Sequence, residues 1–211
     1  MTNEIKNQFI NDVQNLLEEL YQINSFYLLN KYLKEKSTNS EFLQAMNKAP
    51  AFFQLTIHSF QYSAIMGLAK LFEPASRKSK NIFNFLNFIE ANHHKIFSNV
   101  SQINSKLGSG NDIDHSTVKK HREQLEKVES IINNLISWRD KAFAHNDKKY
   151  FKSNGLISKE FPLTYKEIEY LIELSADILN SYQVAYNGNR THTIPANVYD
   201  VDKVFLALRN F

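Results

Sequence analysis

Chain-breaking residues are scarce here: five glycines and four prolines, nine breakers in 211 positions. That is about 4% of the chain, where ordinary domains carry roughly 12%. A backbone that seldom meets a breaker keeps its hydrogen bonds local over long stretches, and long helices follow. Strand-type alternation is weak throughout, and no internal repeat or low-complexity tract interrupts the pattern.

Apolar spacing places those helices. Residues 4–35 read as one amphipathic helix, with Phe9, Val13, Leu16, Leu17, Leu20, Tyr27 and Leu28 recurring at intervals of three and four. Ser37-Thr38-Asn39-Ser40 breaks it, and a short helix over 41–48 is ended by Pro50. Residues 51–72 are apolar around much of the circumference, the profile of a central buried helix. Glu73-Pro74-Ala75-Ser76 stops it, since proline disfavours helical geometry in the residue before it. Ser79 is placed to cap a helix running to about 97. Residues 98–113, containing Gly108-Ser109-Gly110-Asn111, read as a long loop, and 115–144 as another long helix. A turn at Asn154-Gly155 follows. Thr164 and Glu167 have capping-box spacing and open a helix to about 186, with Gly188 as its stop. Pro195 precedes a last helix at 200–209. The expectation is an all-α bundle of five to six main helices plus a short C-terminal one. It forms a single domain over 1–211, with its core at 4–188 and an extension at 189–211.

The chain holds 16 Phe and 10 Tyr, enough for a packed interior, and no Cys, which excludes disulfides and thiolate metal sites. No signal-peptide pattern opens it. No apolar run approaches the ~18 residues of a membrane span, so a cytoplasmic protein is expected. The net charge of +3 permits nucleic-acid binding without demanding it. Of the 25 cations only 5 are arginines, so lysine supplies the generic surface charge. An arginine in a particular place then points to a need for guanidinium geometry.

One such arginine stands in Trp138-Arg139-Asp140-Lys141-Ala142-Phe143-Ala144-His145. The helix before it carries a heptad-like seam: Val118, Leu125, Ile132 and Arg139 share one position, and His121, Val128, Leu135 and Ala142 the other. Arg139 therefore falls where an apolar residue is due, and a cation there needs a carboxylate, a carbonyl cluster or a bound phosphate. On a straight helix His145 stands roughly 120° round and ~9 Å along from Arg139, so the helix end must bend or a second copy must close the site. Asp140 lies about 100° from Arg139, an imperfect partner within one chain. An arginine to hold charge on phosphorus and a histidine to move protons is the smallest kit for cutting RNA without a metal.

Other constellations carry less. His93 and His94 point about 100° apart, poor co-ligands even with Glu90 a turn away, and no metal is expected. His115 and His121 are six apart, and His121 on the seam reads as a satisfied core histidine. The runs Arg77–Lys80 and Lys119–Arg122 read as solvated faces. Gly108-Ser109-Gly110 lacks the Lys and Ser/Thr of a phosphate loop, so no nucleotide cofactor is expected.

Arg139-Asp140-Lys141 followed by Ala144-His145 resembles the signature of HEPN domains, in the branch similar to the abortive-infection protein AbiU. Three further stretches are similar to that branch: Leu71-Phe72-Glu73-Pro74 at a mid-chain helix end, where the branch more often has Asp; Leu163-Thr164 with Glu167-Ile168; and Ile178-Leu179-Asn180 through Tyr186-Asn187-Gly188. The resemblance covers roughly residues 10–190. It implies a helical bundle, a homodimer formed through the helix carrying Arg139, and a metal-independent endoribonuclease of the toxin–antitoxin or phage-defence kind. The alternative it leaves is a catalytically silent module that binds RNA or a protein. In the enzyme reading His145 shuttles protons, Arg139 holds the phosphate oxygens and Asp140 orients one of them. Lys148, Lys149 and Lys152 hold RNA backbone, with Tyr150 or Phe151 as stacking faces. An antitoxin or inhibitor protein is the implied partner, and no membrane is involved.

Overall fold

The computed structural model of the chain describes residues 2–74, 79–97, 113–144 and 155–209. Among them are nine α-helices and no strand. They are α1 (Thr2–Ser37), α2 (Ser40–Met46), α3 (Pro50–Leu71), α4 (Ile82–Phe97), α5 (His115–Glu126), α6 (Glu129–Trp138), α7 (Leu156–Glu160), α8 (Tyr165–Asn187) and α9 (Val201–Arg209). A π-helical turn, Arg139–Ala144, continues α6, and a 3-10 turn, Val198–Asp200, leads into α9. The all-α expectation holds. Among the described residues no helix is long and apolar enough to cross a membrane.

The 36-residue α1 is the spine. Its inner stripe, Phe9, Val13, Leu16, Leu20, Ile23 and Tyr27, is buried throughout. α3 runs antiparallel to it, since Glu19 meets Lys70, Phe26 meets Phe60, and Asn30 meets the Ile57 carbonyl. Gly67 lets the two backbones close: a Cβ there would stand 2.7 Å from Ile23 Cγ1. α8 is antiparallel to α1 as well, with Tyr186 against Phe9 at one end and Tyr165 against Tyr27 at the other. α4 and α5 also pair antiparallel, through Arg122 on Glu90 and His115 on His93. One large core joins all of these, and a smaller one of Leu33, Met46, Phe53 and Phe205 lies under α9.

The chain beyond α8 is sewn back onto the bundle. Gly188, at φ 76°, stops α8 in the left-handed region that glycine tolerates. Thr191 then exchanges two hydrogen bonds with Asn180, and the buried Asn24 amide donates to the Thr193 carbonyl at 2.8 Å. Tyr32 donates to the Asp202 carboxylate, and Phe205 stacks on Phe53. Residues 189–209 thus satisfy buried polar groups and complete a core.

Several local expectations are corrected. Pro50 opens α3 at its first turn, where the missing N–H costs nothing, and α2 already ends at Met46. α4 is capped by Asn81, whose Oδ1 accepts from the Asn84 N–H at 2.8 Å; Ser79 instead braces Asn81. α3 is not buried all round. Phe52 and Leu55 are 60% and 68% exposed, because they lie off the stripe of Phe53, Ile57, Phe60 and Ala64 that packs inward. The helix expected at 115–144 breaks at Lys127-Val128, where the Val128 N–H bonds to the Leu125 carbonyl three residues back. The seam survives the break, with Val118, His121, Leu125, Val128, Ile132 and Leu135 all buried. Short α7 was not anticipated. The loop expected at 98–113 falls almost wholly outside the described residues.

Candidate active site

Arg139 begins the π-helical turn at the end of α6. Trp138 anchors the approach: its Nε1 donates to the Phe161 carbonyl at 2.8 Å, and Asn134 donates to the Pro162 carbonyl one turn earlier. Lys141 lies over the Phe161 ring, 5.3 Å from its centre. On the other side Phe143 packs edge-on against Tyr62 of α3, with His58 beyond. The turn is therefore held between α3 and the strap before α8.

Two carboxylates grip the Arg139 guanidinium. Nε donates to Asp140 Oδ1 at 2.7 Å, and Nη1 to Glu73 Oε1 at 3.1 Å. Asp140 is thus a direct partner within one chain, against the expectation from straight-helix geometry. A π-turn bonds i to i+5 and does not keep α-helical angles, and the long arginine side chain folds back to its neighbour. Glu73 comes from the far end of α3, just past its cap at Phe72, where Pro74 forbids another helical turn. Sequence reasoning used Glu73 only as a helix terminator. The signal that could have found it was the requirement that a seam cation meet a carboxylate.

The Arg139 side chain is 18% exposed, against 43% for Asp140 and 39% for Glu73. Its pKa is raised, first by the hydrogen bond it donates to Asp140, so it stays charged at any physiological pH. Two of five N–H donors are engaged, and the other three have no partner among the described residues. The clamp fixes the plane of the guanidinium and leaves donors for an oxyanion. It also carries two negative groups against one positive.

His145, Lys148, Lys149, Tyr150 and Lys152 lie outside the described residues. His121 is a satisfied core histidine, its Nδ1 2.9 Å from the Tyr182 hydroxyl. His93 packs against His94 and His115, and among the described residues no group of three His, Cys, Asp or Glu side chains is placed to hold a metal ion.

A family model described as AbiU2, of HEPN type, matches residues 6–204, nearly the whole chain and most of the sewn-back extension. The chain belongs to the AbiU2 family of HEPN proteins. The family links it to abortive infection. Searches of curated proteins and of solved structures found no match. In AbiU2 terms, Arg139, Asp140 and Glu73 form one ion-paired cluster drawn from two segments 66 residues apart.

Proposed function

We propose that this AbiU2-family chain is a metal-independent endoribonuclease acting in abortive infection or as the toxin of a toxin–antitoxin pair. The observation that carries the reading is Arg139: a buried-seam guanidinium, oriented by two carboxylates, with three donors left over. Those donors suit the non-bridging oxygens of a phosphodiester, whose charge grows in the transition state. His145 takes the proton from the 2′-hydroxyl, which attacks the adjacent phosphorus. The bond to the 5′ oxygen breaks and that oxygen takes the proton from the His145 imidazolium, giving a 2′,3′-cyclic phosphate and a 5′-hydroxyl. Lys148, Lys149 and Lys152 hold the flanking backbone and offset the two carboxylates, and Tyr150 stacks on a base. A second copy seats on the exposed row Phe52, Leu55 and Tyr62 of α3, beside Phe143, which would bring two Arg139 turns together. Such a protein would work in the cytoplasm, restrained by a partner protein.

The excess of carboxylate over guanidinium at the clamp favours one other reading. In it Arg139 only ties the end of α3 to α6, and the module binds without cutting. Expression in growing cells, with RNA cleavage by the purified protein, separates the two. The enzyme reading expects wild type to arrest growth and to cut RNA with EDTA present, and Arg139→Ala and His145→Ala to do neither. Equal behaviour of all three proteins would sink it, and so would cleavage abolished by chelator.

A further inference from the structure

A groove of about 360 Å³ opens between α4, α5, α6 and the end of α3. It adjoins the Arg139 clamp in two ways. Phe72 and Pro74, which flank Glu73 in the chain, form one wall. Glu129, Asn133 and Ile136 line it from α6, and Asp140 follows Ile136 four residues on, just inside the π-turn.

The geometry points to a nucleobase pocket in this groove, beside the phosphate that Arg139 would hold; the inference rests on the ribonuclease reading above. The walls are apolar and partly aromatic, with Phe83 and Ile136 lining the groove over buried Phe72 and Ile132, a surface that suits a flat ring. The rim is polar and strongly biased toward acceptors. Glu126, Glu129 and Asn133 have no hydrogen-bond or ion-pair partner among the described residues. Arg122, the one cation on the rim among the described residues, is already committed to Asn87 Oδ1 at 2.7 Å and Glu90 Oε2 at 2.8 Å. Two carboxylates without a cationic partner among the described residues disfavour phosphate in the groove but accept hydrogen bonds from an exocyclic amine. Charge thus sets the orientation of a bound nucleotide: base in the groove, phosphate on the arginine. It also sets the preference. Adenine, cytosine and guanine bring an exocyclic amine donor, whereas uracil has none, and its single N3–H lies between two carbonyl oxygens that the carboxylates repel, so it is disfavoured.

The test uses DNA oligonucleotides carrying a single ribonucleotide, A, C, G or U, so that only one bond can be cut. Wild-type protein is expected to cleave the three amine-bearing positions at least about tenfold faster than the uridine. The double variant Glu126→Gln, Glu129→Gln, at exposed positions, is expected to bring the four rates within about threefold. Ile136→Trp, which fills the groove, should drop the amine-bearing substrates to the uridine rate. Equal wild-type rates for all four bases, or a ratio unchanged in these variants, would overturn the pocket and leave the ribonuclease intact. Should wild type cut none of them, the ribonuclease reading is what has failed. Titration of the same protein with the four nucleoside monophosphates, followed by NMR, then decides the pocket alone. Shifts caused by AMP, CMP and GMP but not UMP, and lost in Ile136→Trp, support it; their absence refutes it.

Discussion

Acidification should weaken this fold through His121. The side chain is 8% exposed, on the face of α5 that meets α8, with its Nδ1 2.9 Å from the Tyr182 hydroxyl. Burial, helped by the neighbouring Lys120 charge, holds its pKa down from 6.5 to about 4. A lowered histidine pKa means that the folded protein binds fewer protons than the unfolded chain. The stability is then whole above about pH 6.5 and drains away as pH falls toward 4. From those two values the loss is about 1 kcal/mol at pH 5.5 and about 2 kcal/mol at pH 4.5, relative to pH 7. Against a total of roughly 5–15 kcal/mol for a domain, that is a visible fraction. Urea unfolding of wild type and His121→Gln at pH 7, 5.5 and 4.5 measures it. Glutamine still offers Tyr182 a partner but does not titrate. The stability advantage of wild type over the variant should shrink by the stated amounts. Two stability curves that stay parallel from pH 7 to 4.5 would show that His121 takes up its proton without leaving its site, and the argument from burial would fail.

Glu73→Gln removes one charge from the clamp and should lower RNA cleavage about tenfold, measured at saturating substrate. Because the pair is partly exposed, the thermal midpoint should imply less than about 1 kcal/mol of lost stability. Gly67→Ala pushes a methyl against Ile23 at the tightest approach of α1 and α3, and should cost about 1–3 kcal/mol in chemical denaturation. Phe205→Ala empties the small core under α9 and should cost about 3–5 kcal/mol. In that variant, hydrogen exchange should rise first over 189–209 and α2, with the main core still protected.

The features legible in the sequence were those written in local periodicity and local chemistry. Thr164 and Glu167 make both bonds of the capping box, Gly188 stops α8 with a positive φ, and the seam through Val118, Leu125 and Ile132 is buried. What was not legible depends on distant partners or on small backbone energies. Residues 51–60 are apolar on more than one face and do not say which face α1 covers, so Phe52 read as core and is not. No glycine or proline marks the break at Lys127-Val128 or the π-turn at Arg139, since both differ from α-helix by one hydrogen-bond step. Glu73 had to be brought to Arg139 by the antiparallel packing of whole helices. Asn24 and Asn180 carry no mark of burial in the sequence, and are buried because the tail returns to pair with them.

The π-turn has a genetic consequence. Bonding i to i+5 accommodates one more residue in the turn than an α-helix needs. Losing a single codon anywhere from 140 to 144 would let the segment relax to α spacing. The side chains left within the turn would then shift relative to Glu73, while the bundle kept its helices and its core. A one-residue deletion is thus a short mutational route to a folded, harmless form. Escape mutants selected for survival under expression of this chain should be enriched in such in-frame losses at the turn, beside the expected substitutions of Arg139 and His145.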